Sequence, residues 1–213
     1  MFQTKTQLTL KAIMNNKFTF GIIFIGALIG LVMVFAPLQT THLGNAQLIT
    51  AEKPKGGDFT LTAVDGEHSL SDYKGKLVLL YFGYTFCPDI CPTNLGNLSV
   101  AYRNLSAEQK DKLQILFVSV DPERDTPQRL KQYADYFEAS IVGLTGTPQT
   151  LMEIARRYGV VYARVDDPNN GTNYAVDHSA FTYVVDQNGL LQQQLPHATT
   201  PEQFIKIINQ YLR

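Results

Sequence analysis

The chain lacks several features that would place it in a familiar class. It has no positive net charge, with 18 Lys and Arg against 19 Asp and Glu in 213 residues, so its charge does not support nucleic-acid binding. It has no internal repeat and no low-complexity segment, which leaves one globular domain as the expectation for this length. It has only two cysteines, Cys87 and Cys91, so any thiol chemistry must use that pair.

Acidic residues are missing from the N-terminal region, where three lysines precede an uncharged run from residue 18 to residue 35. As a helix this run is about 27 Å long, close to a hydrocarbon thickness of roughly 30 Å. We expect a single transmembrane anchor at 18–35, with residues 1–17 in the cytoplasm and the remainder on the periplasmic side of the inner membrane. A cleaved signal peptide is the alternative, although its apolar part usually has only about 7–15 residues.

Residues 36–56 show little periodicity and contain proline, glycine and polar residues. This composition is typical of a linker between a membrane anchor and a folded domain. We therefore expect the domain to occupy residues 57–213.

Within that domain, apolar segments alternate with helical patterns. The residue pattern predicts strands at 58–64, 77–84, 113–120, 141–146, 180–186 and 190–195, with the last two forming a hairpin. It predicts helices from Pro92 to Leu105, from Pro127 to about Phe137, from Pro148 to Tyr158 and from Pro201 onward. This order predicts an α/β, thioredoxin-like sandwich, with a central mixed sheet flanked by helices.

The segment YFGYTFCPDICPTNL, residues 81–95, contains both cysteines. It follows a buried strand and begins a helix, which is where open α/β sheets bind ligands. Because Pro92 suits the first helical position, we expect Cys91 at or beside the N-cap and Cys87 in the preceding loop. The helix dipole then favours both thiolates, the form that serves disulfide exchange as well as metal binding.

The spacing of these cysteines and a distant histidine favour metal binding. Three residues separate the cysteines, where thioredoxin-type oxidoreductases have two, and residues 176–179 contain no proline at the position where that family has a cis-proline. His178 stands there instead, and it reaches the same sheet edge if strands 77–84 and 180–186 are neighbours. Two thiolates and an imidazole suit copper, as Cu(I) or Cu(II), whereas zinc fits the set less distinctively.

Three motifs together resemble the Sco/SenC family: YFGYTFCPDICPTNL, FVSVDPERDTP at 117–127 and VDHSAFTYVVDQNG at 176–189. The resemblance covers roughly residues 57–213 and implies metal ligands at Cys87, Cys91 and His178. It implies a membrane-tethered copper-binding assembly factor that delivers copper to, or prepares, the binuclear copper site of cytochrome c oxidase. The implied partners are the copper-site subunit of that oxidase and a periplasmic copper donor or thiol-disulfide reductant.

Other functions of the cysteine pair remain open at this point. The pair could act as a thiol-disulfide oxidoreductase that reduces the oxidase cysteines, or it could form a structural disulfide, which an extracytoplasmic compartment permits. A peroxidase of the peroxiredoxin kind shares the fold, but the residues before Cys87 do not match its pattern.

Several neighbouring residues have two possible roles. Asp177 could orient His178 or cap a turn, and Asp121 could organise the site or form a turn with Pro122. The aromatic residues Tyr81, Phe82, Tyr84 and Phe86 are expected mostly in the core, with Tyr84 and Phe86 also candidates for a docking surface. If the polar loop at 166–171 is mobile, His178 would reach copper only in some states, which would allow capture and release.

Overall fold

The computed structural model describes residues 53–166 and 174–212 of the chain. They belong to one compact unit, Glu52–Arg213. Within the two described ranges no helix has the length and apolar character needed to cross a membrane. The predicted anchor at 18–35, the linker up to residue 52 and most of the predicted loop at 166–171 lie outside the described residues.

A five-stranded mixed sheet forms the centre of the domain. Its spatial order is β5-β4-β3-β8-β9, with β3, β4 and β5 parallel and with β8 antiparallel to both β3 and β9. The strands are β3 (Leu77–Gly83), β4 (Leu113–Ser119), β5 (Ile141–Leu144), β8 (Thr182–Val185) and β9 (Leu191–Leu195). All seven residues of β3 are buried, as its continuous apolar run predicts for a strand covered on both faces.

Helices cover both faces of this sheet. They are α1 (Ile90–Arg103), α2 (Ala107–Asp111), α3 (Pro127–Asp135), α4 (Pro148–Tyr158) and α5 (Pro201–Tyr211), together with a 3-10 turn at Leu70–Tyr73. On one face Tyr133 of α3 packs on Phe117 of β4, with ring centroids 5.4 Å apart. On the other face Tyr158 of α4 packs on Phe82 of β3, with centroids 5.8 Å apart. The structure therefore confirms the predicted α/β, thioredoxin-like sandwich with a mixed central sheet.

Three helices begin with the same local signal, a threonine followed by proline. The hydroxyls of Thr126, Thr147 and Thr200 each accept a hydrogen bond from the backbone N–H three residues later. Each following proline occupies the first turn, where its missing N–H leaves no donor unpaired. These helix starts follow directly from the sequence.

Two small hairpins lie outside the central sheet and were not predicted in full. They consist of β1 (Thr60–Ala63) with β2 (Gly66–Ser69), and of β6 (Tyr162–Asp166) with β7 (Tyr174–His178). Four of the five residues of β6 are exposed, so its sequence carries no alternating apolar pattern to reveal it. The β6–β7 hairpin matters for function because it ends at His178.

The start of α1 corrects one prediction. The helix begins at Ile90, with Asp89 at its N-cap, so Cys91 lies in the first turn and not at or beside the N-cap. Pro92 is then the third helical residue, which is also free of an intrahelical N–H bond. Helix α3 ends at Asp135, two residues before the predicted Phe137.

Candidate metal centre

The two cysteines follow the central strand β3 at its carboxyl end. Cys87 lies in the loop before α1 and is 9% exposed, whereas Cys91 is completely buried. The backbone N–H of Cys91 points at Cys87 Sγ, with 3.5 Å between the nitrogen and the sulfur. Gly83 provides room for this arrangement, because a Cβ there would lie 2.7 Å from Cys91 Sγ.

His178 reaches the cysteines from the end of β7. Its Nε2 lies 3.3 Å from Cys91 Sγ, and its Nδ1 lies 3.1 Å from the carbonyl oxygen of Ser179. Because Nδ1 donates its proton to that carbonyl, the lone pair of neutral His178 is at Nε2, on the side of the sulfur atoms. The imidazole packs edge to face with Tyr81 and Tyr84, at centroid distances of 6.3 and 5.8 Å.

The structure thus brings together the three residues that were predicted as ligands. The ligand atoms of Cys87, Cys91 and His178 all lie within 4.8 Å of one another. Both cysteines are free thiols, so the sulfur atoms are available as donors. Two sulfur donors and one imidazole nitrogen form a soft to borderline set, which fits copper without any rearrangement of the fold.

The two thiols differ strongly in acidity. A hydrogen bond from Cys91 is the largest cause that lowers the pKa of Cys87, to about 4, with further donation from the backbone N–H groups of Asp89 and Cys91. The same contact and burial raise the pKa of Cys91. The prediction that the helix start favours both thiolates is therefore wrong. The local hydrogen-bond donors stabilise the Cys87 thiolate, and its negative charge disfavours a second thiolate at Cys91.

This asymmetry predicts one thiolate per reduced, metal-free chain at neutral pH. We expect a thiolate absorbance for a single sulfur that disappears only as the pH falls through about 4, since the pKa of Cys87 is lowered to that value. Ultraviolet absorbance against pH measures it, and a Cys87→Ser variant should lose the signal. Two thiolate equivalents at neutral pH would contradict the expectation.

A polar network holds β7 against the end of β4. Asp121 is buried at 3% exposure, accepts a hydrogen bond of 2.7 Å from the Tyr174 hydroxyl and forms an ion pair of 2.5 Å with Arg124. Arg124 in turn donates to the Tyr174 carbonyl at 2.9 Å. Asp121 shows both contacts considered for it: its side chain fixes the first residue of the strand that carries His178, and its carbonyl oxygen accepts the N–H groups of Arg124 and Asp125 in a turn.

Neither Tyr174 nor Arg124 was predicted as a functional residue. Tyr174 lies between two guanidinium groups, with Arg124 at 3.5 Å and Arg164 at 3.8 Å from its ring centroid. Tyr174 is far from Asp121 in sequence, so their contact could not be predicted. The FVSVDPERDTP motif, which contains Asp121 and Arg124, was the only indication that these residues are functional.

Replacing Tyr174 by phenylalanine tests this network. The change removes the bond to Asp121 while retaining the ring between the two guanidinium groups, so we expect about 1 kcal/mol of lost stability. Copper affinity should fall by about tenfold because the strand that holds His178 becomes less well fixed. Chemical denaturation and copper competition measure the two effects, and unchanged affinity would show that the network does not position the ligand.

The aromatic residues around the motif have separate roles. Tyr81, Phe82 and Tyr84 are 0%, 1% and 3% exposed, whereas Phe86 is 44% exposed. The Tyr84 hydroxyl accepts the Val176 N–H at 3.3 Å and so also steadies β7. Tyr84 is therefore a core residue and not part of a docking surface, while Phe86 remains at the surface.

Asp177 does not orient His178 through a hydrogen bond. It is exposed and lies opposite Ala163 in the β6–β7 ladder, and the Ser179 carbonyl takes the role considered for it. His197 is exposed. His68 is partly buried and contacts the Asp65 carboxylate and the Tyr73 hydroxyl.

Comparison with known proteins assigns the family. The SCO1/SenC family model matches residues 48–213. An SCO2-like protein of Rickettsia conorii is 36% identical over 188 residues, which cover 88% of this chain and 91% of that protein. The structure of Bradyrhizobium japonicum ScoI with copper bound is similar with a TM-score of 0.67 and 36% identity, covering 73% of this chain and 98% of that one.

A third relative adds a redox feature. BsSco, described as a member of the Sco family of cytochrome c oxidase assembly proteins with a disulfide switch, has a TM-score of 0.58 and 27% identity. The match covers 75% of this chain and 94% of that one. Taken with the family model, these similarities show that the chain belongs to the SCO1/SenC family.

Proposed function

We propose that this chain binds one copper ion through Cys87, Cys91 and His178 and delivers it to the copper-site subunit of cytochrome c oxidase. The observation that carries the proposal is the convergence of two free thiol sulfurs and the unprotonated Nε2 of His178 within 4.8 Å. The Bradyrhizobium japonicum, yeast and Arabidopsis thaliana relatives with copper bound support it. So does the description of BsSco within a family of oxidase assembly proteins.

The different acidities of the two cysteines determine which proton is lost when copper binds. Cys87 offers a thiolate, whereas Cys91 must lose a proton when copper binds. The last step of transfer then proceeds by ligand exchange, in which the thiolates of the acceptor replace those of the chain. Oxidation of the pair to a disulfide removes both sulfur ligands, so copper loading depends on the redox state.

The proposed function places the domain outside the cytoplasm, attached to the membrane. The apolar run at 18–35 would anchor the chain in the inner membrane and hold the domain on the periplasmic side. A periplasmic copper donor would load the site, and a thiol-disulfide reductant would keep the pair reduced.

Copper binding is tested by anaerobic titration of the reduced full-length chain, with bound metal and sulfur-to-copper charge-transfer absorbance followed together. We expect one tightly held copper per chain. Weak binding, or oxidation of the thiols without retained copper, would overturn the metal-carrier proposal.

A second function is favoured by the asymmetry of the thiols. A reduced pair with one thiolate of lowered pKa is suited to reduce a disulfide of the acceptor. Cys87 would attack one sulfur of that disulfide to form a mixed disulfide. Loss of the Cys91 proton would let its sulfur attack Cys87, which leaves a Cys87–Cys91 disulfide and two reduced cysteines on the acceptor.

A further inference from the structure

A surface of the domain that the metal ligands themselves do not line has the properties of a docking site. Two grooves of about 560 and 310 Å³ meet at Tyr136, just beyond the end of α3. The larger runs along α1 from Pro92 to Arg103, and the smaller ends at Thr85 and Arg129. We infer that this surface, called the Tyr136 groove, binds an extended acidic segment of the protein that receives copper, an inference that rests on the proposed function.

Tyr136 is an aromatic residue that is almost fully exposed to solvent, as expected of a residue that a partner protein would cover. Tyr136 is 82% exposed, the largest value among the exposed large hydrophobic residues of the described chain. It stands edge-on against Phe137, which is buried, with centroids 5.3 Å apart. Tyrosine and arginine dominate binding energy at protein interfaces, and this groove offers both types.

Gly96 forms an open stretch on α1 beside Tyr136. A Cβ built at this position would meet nothing within 4 Å, so packing inside the domain does not require a glycine here. Glycine inside a helix costs roughly 1 kcal/mol relative to alanine. Pro92 and Val100 lie about one turn before and after Gly96 on the same face of α1. Because Gly96 has no side chain, the backbone of a bound segment can approach the helix closely between them.

The charge of the groove identifies the kind of partner. Arg103 and Arg129 are the only charged residues that line the two grooves in the described chain. Arg103 is exposed, donates to the Ser99 hydroxyl at 2.7 Å and has no ion pair among the described residues. Arg129 lies 4.0 Å from the buried Asp125 carboxylate and stacks on the Phe86 ring at 3.9 Å, so Arg103 is the guanidinium group left to pair with a partner. With no acidic residue of the described chain lining either groove, this positive charge is complementary to carboxylates on an extended segment.

The smaller groove ends at a residue close in sequence to the metal ligands. Arg129 donates to the Thr85 hydroxyl at 2.6 Å, and Thr85 lies two residues before Cys87. A partner segment that crosses Tyr136 therefore leads its following residues toward the Cys87 thiol. This placement suits an acceptor whose own thiolates must come within reach of the copper ligands during exchange.

The test measures copper transfer from the copper-loaded, full-length chain to the metal-free soluble domain of the oxidase copper-site subunit. Tyr136→Ala and Gly96→Gln should each lower the second-order transfer rate by at least about tenfold, since one removes the exposed ring and the other places a side chain where the bound segment would approach α1. Gly96→Gln should leave thermal stability unchanged or raised, which separates blocked docking from damaged folding. Arg103→Glu should slow transfer and weaken its dependence on salt.

The matched control is Arg156→Glu, an exposed charge reversal in α4 on the opposite face of the sheet, which should transfer copper at the unaltered rate. Fast transfer in the unaltered chain, with equal rates in the Tyr136 and Gly96 variants, would overturn the docking inference and leave the proposed function standing. Failure of the unaltered chain to hold copper would overturn the proposed function. If the unaltered chain holds copper but transfers none to the oxidase copper-site subunit, that subunit is not the acceptor, and both the delivery step and the docking inference fail.

Discussion

Replacing His178 by alanine is expected to lower copper affinity by at least about a hundredfold. Loss of an outer hydrogen bond to a metal ligand already costs about 10–100-fold, and this change removes the ligand itself. Only the two sulfur atoms would remain. Competition with a copper chelator of known affinity measures the loss in the reduced full-length chain.

The same variant separates the two proposed functions. Disulfide exchange depends on Cys87 and Cys91, so His178→Ala should retain most of its ability to reduce a disulfide substrate. His197→Ala is the matched control, because His197 is exposed and is not one of the three clustered ligand residues. A His178 variant that binds copper as well as the unaltered chain would exclude this histidine as a ligand and favour the thiol reductant.

Replacing Asp125 by alanine is expected to cost about 3 kcal/mol of the free energy of unfolding. Asp125 is completely buried and accepts three hydrogen bonds, from the Thr85 N–H at 3.0 Å, the Thr85 hydroxyl at 2.6 Å and the Ser119 hydroxyl at 2.7 Å. Its removal leaves these donors without an acceptor inside the protein. It also releases the loop that begins at Thr85 and leads to Cys87.

Asp125→Asn is the matched variant. Burial is the largest influence on Asp125 and raises its pKa above the usual value, so the folded state binds this proton more readily than the unfolded chain does. The contribution to stability is therefore present at low pH and decreases as the pH rises through the raised pKa. Asparagine carries no buried charge and retains one acceptor, so it should cost less than alanine.

Denaturant titrations at several pH values measure both variants. A cost of less than about 1 kcal/mol for Asp125→Ala would show that the three bonds do not hold the loop. Copper affinity of the alanine variant, measured where it is still folded, should also fall because Cys87 is no longer fixed.

The sequence predicted most of the elements because their signals are local. Helix starts at Thr126, Thr147 and Thr200 need only a threonine and a proline, and β3 needs only a continuous apolar run. The β6–β7 hairpin was not predicted, because four of the five residues of β6 are exposed, although the residues of β7 alternate in burial.

The candidate site shows the same division. The cysteine spacing and the VDHS segment indicated Cys87, Cys91 and His178, but the distance between the cysteines and the histidine along the chain could be closed only by pairing of β3 with β8. The roles of Tyr174 and Arg124 could not be predicted, because their contacts with Asp121 join segments that are far apart in sequence.

The sequence by itself determined the family, the alternating α/β pattern and the identity of the donor atoms, because short motifs and local periodicity carry that information. Only the tertiary structure decided which sulfur holds the negative charge, which nitrogen of His178 faces the thiols and which surface is free beside them. Acidity, tautomer and exposure depend on what lies within a few ångströms, and folding sets those neighbours.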